Sequence, residues 1–258
     1  MSTAAQYVAL SRRSIFNTLR QPTAVIPSMT FPLIFLALNA AALGEAISLP
    51  GFPAVDSFLQ FMFATTVVQG TLFGSIAAGA DVANDIEGGF FERLIAAPAS
   101  RTSLLVGRLA GSATFAFAQA WLFYFVATLF GLDVEGGLLG MLGLSIVCTI
   151  LAAGVGAISV SFGLRTGSAE AVQGSFPLLF ALLFLSSAFF PRALMSGWFR
   201  DVANLNPFSH LIEAVRHQVI VGFDLSRLLT GIVIAAGVFV IGLTLSALAL
   251  RRRLSETS

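Results

Sequence analysis

Residues 138–163 read LLGMLGLSIVCTILAAGVGAISVSFG, a stretch of 26 positions with no charged side chain. The hydrocarbon core of a bilayer is about 30 Å thick and needs about 20 helical residues to cross it. Lipid offers backbone amides no partners, so a run of this kind closes its own hydrogen bonds as a helix. The small residues of AAGVGAIS (152–159) let a second helix come close. Five further apolar segments, at 24–43, 58–80, 104–130, 171–190 and 228–250, are of similar length. Charged residues make up 10% of the 258, where a soluble domain spends about a quarter. The expected fold is an all-α membrane protein with six transmembrane helices in a single domain over 1–258, its core built between helices and against lipid.

Arginine sets the expected topology. With six spans, Arg12, Arg13, Arg20, Arg93, Arg101, Arg108, Arg165, Arg251, Arg252 and Arg253 fall on one side and Arg192, Arg200, Arg216 and Arg227 on the other. Both termini are therefore expected in the cytoplasm. Residues 1–23 read as an interfacial helix, with Val8, Ile15 and Leu19 on a face opposite Arg13 and Arg20. SRRSIF (11–16) faintly suggests a twin-arginine export signal. The distance from Arg13 to the apolar run, the interruptions at Pro27 and Pro32 and the five spans that follow argue against it.

Two connections carry more than turns. DVANDIEGGFFERLIAAPASR (81–101) concentrates Asp81, Asp85, Glu87, Glu92, Arg93 and Arg101 between two apolar runs. A helix of about three turns fits over 85–97, ended by Pro98. Ile86, Phe90 and Leu94 form its apolar stripe, and Asp85 and Glu92 face away. Gly88 and Gly89 weaken it by about 1 kcal/mol each relative to alanine. Four carboxylates suit an anionic inner leaflet poorly, which favours a docking helix for a cytoplasmic partner over a loop resting on lipid. The connection 191–227 is too polar to span and too apolar for an ordinary loop. Asn206 and Pro207 read as N-cap and first helical residue, Glu213 can meet Arg216 or His217, and 191–220 is expected to dip into the outer leaflet and return.

Other chemistries lack their residues. All 14 basic residues are Arg, so the phosphate loop G-x-x-x-x-G-K-S/T is absent and the chain cannot supply that ATPase. Two His and the single Cys148 make a metal site poor in ligands; His210 with Glu213 gives H-x-x-E and not H-E-x-x-H. No G-x-S-x-G marks a serine nucleophile. No span holds a carboxylate or His near its middle, which disfavours an ion-coupled transporter. Phe176, Phe180 and Phe184 recur at i+4 on the fifth span. Such a stripe serves helix and lipid contact, or lines a path for apolar cargo.

DIEGGFFERLIAAPASR (85–101) resembles the corresponding stretch of type-2 ATP-binding-cassette exporter permeases. A second match is Pro207-Phe208-Ser209-His210, five residues, then Arg216, with Leu179, Leu182, Leu185, Ser186, Ala188, Met195 and Ser196 at the upstream spacings. The resemblance covers the whole chain and lies nearest the daunorubicin and multidrug-resistance permeases. It implies that Asp85, Ile86, Glu87, Gly88, Phe90, Glu92, Arg93 and Leu94 belong to a coupling helix. It implies that 191–220, with Pro207, His210, Glu213 and Arg216, closes the pathway on the outer side. It further implies a separate ATPase in two copies that binds ATP and Mg, a second permease chain (identical or a paralogue), surrounding lipid, no nucleic acid and no cofactor or catalytic residue in this chain. The expected setting is the bacterial plasma membrane, and the expected cargo a hydrophobic drug, antibiotic or lipid. A lipid-linked saccharide or polysaccharide exporter and a non-transporting immunity or scaffold protein are the alternatives.

Overall fold

The computed structural model describes residues 3–20, 22–91, 93 and 101–256, which form helices and turns with no strand. In chain order they are α1 (Thr3–Leu19), α2 (Pro22–Ala42), α3 (Phe58–Ser75), α4 (Ala77–Glu87), α5 (Arg101–Thr128), α6 (Gly137–Thr166), α7 (Ala169–Gln173), α8 (Phe176–Phe184), α9 (Gly197–Leu205), α10 (Pro207–Ile220) and α11 (Leu225–Glu256). Five stretches are long and apolar enough to cross a bilayer: Val25–Ala42, Phe58–Glu87, Leu105–Thr128, Gly137–Thr166 and Leu225–Ser255. Phe58–Glu87 is almost wholly buried, whereas Val25–Ala42 and Leu225–Ser255 are mostly uncovered. The α3–α4 limb is thus the axis of the molecule, and α2 and α11 are its outer staves.

The expected continuous span over 171–190 is not one helix. Pro177 has no N–H to offer the carbonyl of Gln173, and the chain breaks at Gly174–Ser175 between α7 and α8. The nine residues of α8 rise only about 14 Å, and residues 185–190 continue without helix. Ser186, Ser187, Ala188 and Phe189 are nonetheless buried. Irregular backbone at such depth is tolerable only where protein groups satisfy it.

Pro32 breaks the ladder of α2 differently. It cannot donate to the carbonyl of Ser28, and Gln119 on α5 does so instead, Nε2 to oxygen at 2.9 Å. Gly70 on α3 makes room, since a Cβ there would lie 2.8 Å from the same nitrogen. Replacing Gln119 by leucine is expected to strand that carbonyl and loosen α2, at about 1–3 kcal/mol. A lower melting temperature with faster amide exchange confined to 25–35 would check it.

Small residues fix the closest helix crossings. A Cβ on Gly154 of α6 would lie 2.7 Å from the Phe239 nitrogen of α11, and one on Gly242 would lie 2.4 Å from the Gly154 oxygen. Ser246 adds a hydroxyl bond to the carbonyl of Ala157. On the other side of α6, Ser159 Oγ donates to Ile76 O at 2.9 Å, where α3 gives way to α4. The apolar core fills the space between α3, α5, α6 and α10, with Phe61, Phe63, Phe123, Leu144, Leu151 and Ile212 fully enclosed. Helix α1 docks on α5 through Ser14, which donates to Arg108 O (2.6 Å) and accepts from Gly111 N (3.2 Å). Ile15 is half-buried, while Arg13 and Arg20 are exposed; the side chains of Val8 and Leu19 lie outside those described.

Contacts define two ends of the bundle. At one, α1, the end of α4, the α6–α7 turn and the end of α11 meet through Arg13–Asp85, Glu87–Ala169 and Arg253–Leu164. At the other, Gln60 reaches Asp133 O, and Glu135 N and Gly136 N donate to Val219 O and Gln218 O of α10.

Candidate functional site

The first site is the charged turn after α4. Asp85 accepts from Arg13 of α1 at 3.0 Å and forms an ion pair with Arg108 of α5 at 2.7 Å, so one carboxylate ties three helices. The Arg13 guanidinium also lies over the Phe90 ring at 4.1 Å, a cation–π contact of about 0.5–1 kcal/mol where exposed. Glu87 Oε1 accepts from the amide of Ala169 at 3.4 Å. Burial divides the acidic residues: Asp85 is half-buried in this pairing and Glu87 is exposed.

The expected uninterrupted helix from Asp85 is corrected here. Helix α4 ends at Glu87, Gly88 N bonds back to Asn84 O, and Gly89 takes a left-handed φ of 65°. Glycine adopts that conformation without the clash a Cβ would bring. Helical geometry resumes at Phe90 and Phe91. The turn shifts the face, so Phe91, and not Phe90, is the enclosed ring, 4% exposed among Leu105, Leu109, Leu164 and Leu250. Ile86 is half-buried against the same cluster, and Arg93 is exposed and bonded to Gly89 O. Glu92, Leu94 and the rest of the expected helix to 97 lie outside the described residues. Arg253, 5.9 Å from the Phe91 ring, donates to Leu164 O at 3.1 Å. One terminal helix thus contacts Phe90 and the other Phe91.

The second site is at the far end. Arg216 is 5% exposed, and among the described residues no carboxylate is bonded to it. Its guanidinium donates to Phe61 O (3.0 Å), Ser187 O (3.0 Å), Ala188 O (2.6 Å) and Thr65 Oγ1 (2.8 Å), with the Phe61 ring 3.9 Å away. Five donors in a rigid fork suit several acceptors at once. The expected contact of Glu213 with Arg216 or His217 is not formed; Glu213 binds Arg192 instead. Glu213 is only half-buried and pairs with the turn that carries Arg192, while Arg216, one turn on, is buried among backbone carbonyls. Pro207 opens α10 behind the cap Asn206. His210 is exposed, its Nε2 2.8 Å from Asn204 O, so it joins α10 to α9 and stands apart from Arg216.

Phe176, Phe180 and Phe184 do come together. Neighbouring ring centroids are 6.1 and 4.6 Å apart, and the series extends to Phe189 at 4.5 Å and from there to Phe35 at 5.4 Å. Phe73 meets Phe176 at 4.3 Å and Phe31 meets Phe180 at 6.1 Å. These rings form a ladder where α2, α3 and α8 meet, with Phe31, Phe176 and Phe184 each more than a third exposed.

A family model described as ABC-2 type transporter matches residues 5–220. The chain belongs to the ABC-2 type transporter family. It is a permease, and a multi-pass membrane protein. The daunorubicin resistance ABC transporter permease protein DrrB1 of Streptomyces coeruleorubidus is 29% identical over 196 residues, 76% of this chain and 68% of the relative. A putative transport permease, ycf38, of Porphyra purpurea is 26% identical over 212 residues, 81% and 72% of the two chains. The probable doxorubicin resistance ABC transporter permease protein DrrC of Mycobacterium tuberculosis is 23% identical over 248 residues, 96% and 89%. Within the permease, Arg13, Arg108 and Thr65 are site residues that sequence reasoning passed over. Arg108 counted only towards topology and Arg13 towards topology and the polar face of the first helix, and nothing local marks Thr65 as the partner of a side chain 151 positions away.

Proposed function

We propose that this permease is the membrane subunit of an ATP-driven exporter that moves flat, apolar molecules such as antibiotics out of a bacterial cell. Two copies of a separate ATPase bind ATP and Mg and seat on residues 85–97, and two permease chains, identical or paralogous, enclose the path. The observation that carries this reading is the tie at Asp85: the charged turn is bonded to α1 and α5 and abuts α7 and α11. A push on it would reach four other helices at once. Helix α4 continues into the buried α3, which meets the aromatic ladder at Phe73 and the Arg216 cage at Thr65.

The proposed topology has six crossings. Both terminal helices touch the 85–91 turn, and an even number of crossings brings them to one side. The broken α7–α8 limb, continued by 185–190, is then the fifth, and 191–220 is the outer closure containing Pro207, His210, Glu213 and Arg216. The arginine excess places the termini and the ATPase in the cytoplasm. Phe176, Phe180 and Phe184 face the cargo; a ring-lined wall favours an apolar aromatic molecule over a polysaccharide. The names of the relatives, daunorubicin and doxorubicin resistance permeases, support the same class of cargo.

The test is a Glu87→Arg variant of the permease reconstituted with its ATPase in proteoliposomes. Reversed charge at an exposed docking surface is expected to reduce ATPase binding and ATP-driven daunorubicin movement about tenfold or more, while the permease keeps its melting temperature. Unchanged association and transport would remove the coupling role from this turn. A permease that purifies without any ATPase partner from its native membrane would favour the scaffold alternative.

A further inference from the structure

We infer that Asn206 is a positioning residue that couples the outer closure to the aromatic ladder. The inference rests on the proposed roles of α8 and α10. One side chain, 7% exposed, serves the facing ends of both helices. Its Oδ1 accepts from Phe208 N at 2.9 Å and caps the start of α10. Its Nδ2 donates to Leu182 O at 2.7 Å and to Leu185 O at 2.9 Å, at the end of α8. The last carbonyls of a helix have no partner within it, and the segment that follows α8 is not helical, so this amide supplies what the chain itself cannot. The cap and the tie use different atoms of one amide, so neither helix end can move away without breaking a bond to the other. Leu182 and Leu185 bracket Phe184 in sequence, and Phe180 lies one turn earlier. A displacement of α10 is therefore passed into the rings of α8, without Asn206 touching cargo.

The two halves of the amide can be separated by substitution. Asn206→Asp and Asn206→Ser keep a good N-cap oxygen but lose the Nδ2 that binds both α8 carbonyls. The measurement uses the permease–ATPase complex in lipid nanodiscs, with Cys148 replaced by alanine and spin labels at Leu178→Cys and Val221→Cys. These are exposed positions on α8 and just after α10. With Asn206 present and the labelled permease diluted into unlabelled permease, so that only the within-chain pair is read, the distance distribution is expected to be single and unchanged when the ATPase is trapped with vanadate. In both variants it is expected to broaden or acquire a second population on trapping. Daunorubicin turnover per ATP hydrolysed should fall about fivefold or more, the size of an ordinary coupling between sites, while ATP hydrolysis is retained. Unchanged distributions in both variants would overturn the inference, as would loss of folding in both, which would assign Asn206 to stability alone. A wild-type complex that does not move daunorubicin would remove the cargo reading and leave the distance result to stand by itself.

Discussion

Replacing Arg216 by leucine is expected to destabilise the permease by about 3–5 kcal/mol, read as a much lower melting temperature in detergent and reduced folded protein in the membrane. Its guanidinium makes four bonds to protein oxygens, three of them carbonyls. Bonds to a charged donor contribute about 1.5–3 kcal/mol each, and a buried acceptor left without a donor costs about 1–3 kcal/mol. Leucine relieves the burial of a cation, which offsets part of this loss. The offset is incomplete because Ser187 and Ala188 sit in a non-helical segment that has few other donors: Thr65 Oγ1 reaches Ala188 O, and no other bond to Ser187 O is found among the described residues. Arg216→Lys keeps the charge but donates from one nitrogen, which cannot span acceptors now served by three. It should recover less than half of the loss. Full recovery by lysine would mean that charge, and not the fork of donors, holds 185–190 in place.

Gly79→Val is expected to prevent assembly of the α4–α6 crossing, and Gly79→Ala to weaken it by about 1–3 kcal/mol, the usual range for overpacking. A Cβ at 79 would lie 2.2 Å from Ser159 Oγ and 2.3 Å from Ser159 O, and a Cβ at Gly163 would lie 2.3 Å from Gly79 O. The obstacle is backbone, which cannot rotate away as a side-chain tip can. Separation of the two helices would also break the Ser159–Ile76 bond. This crossing lies two turns before Asp85, so a partly folded Gly79→Ala protein should lose ATP-driven transport by a larger factor than it loses thermal stability. Parallel measurement of melting temperature and transport checks this, and an unchanged melting temperature for Gly79→Val would refute the close crossing.

The helical membrane class, five of the long apolar segments and the family were legible in the residues, because each depends on composition or on a short pattern read in order. The 85–97 stretch shows the boundary of such reading. Its charges, its glycine pair and its place between apolar runs were visible, but the direction of the chain after Gly89 was not. The stripe Ile86, Phe90, Leu94 assumes one unbroken helix, and a single left-handed residue turned the enclosed ring from Phe90 to Phe91. Pro177 stands in plain view within the fifth apolar segment. That 185–190 would stay irregular depended on partners held elsewhere: donors on Asn206, Arg216 and Thr65, and an acceptor on Ser209.

Composition and order alone determined that this protein is built of membrane helices and that arginine is concentrated at one set of connections. Those properties follow from the transfer of side chains and backbone into lipid, which is nearly independent of which helix lies beside which. Tertiary structure decided the pairings: Asp85 with Arg13 and Arg108, Glu213 with Arg192, Gln119 with the carbonyl freed by Pro32, Arg216 with the backbone of 187 and 188. A hydrogen bond or ion pair acts over about 3 Å, and residues 72 or 155 positions apart reach that distance only after the helices have packed.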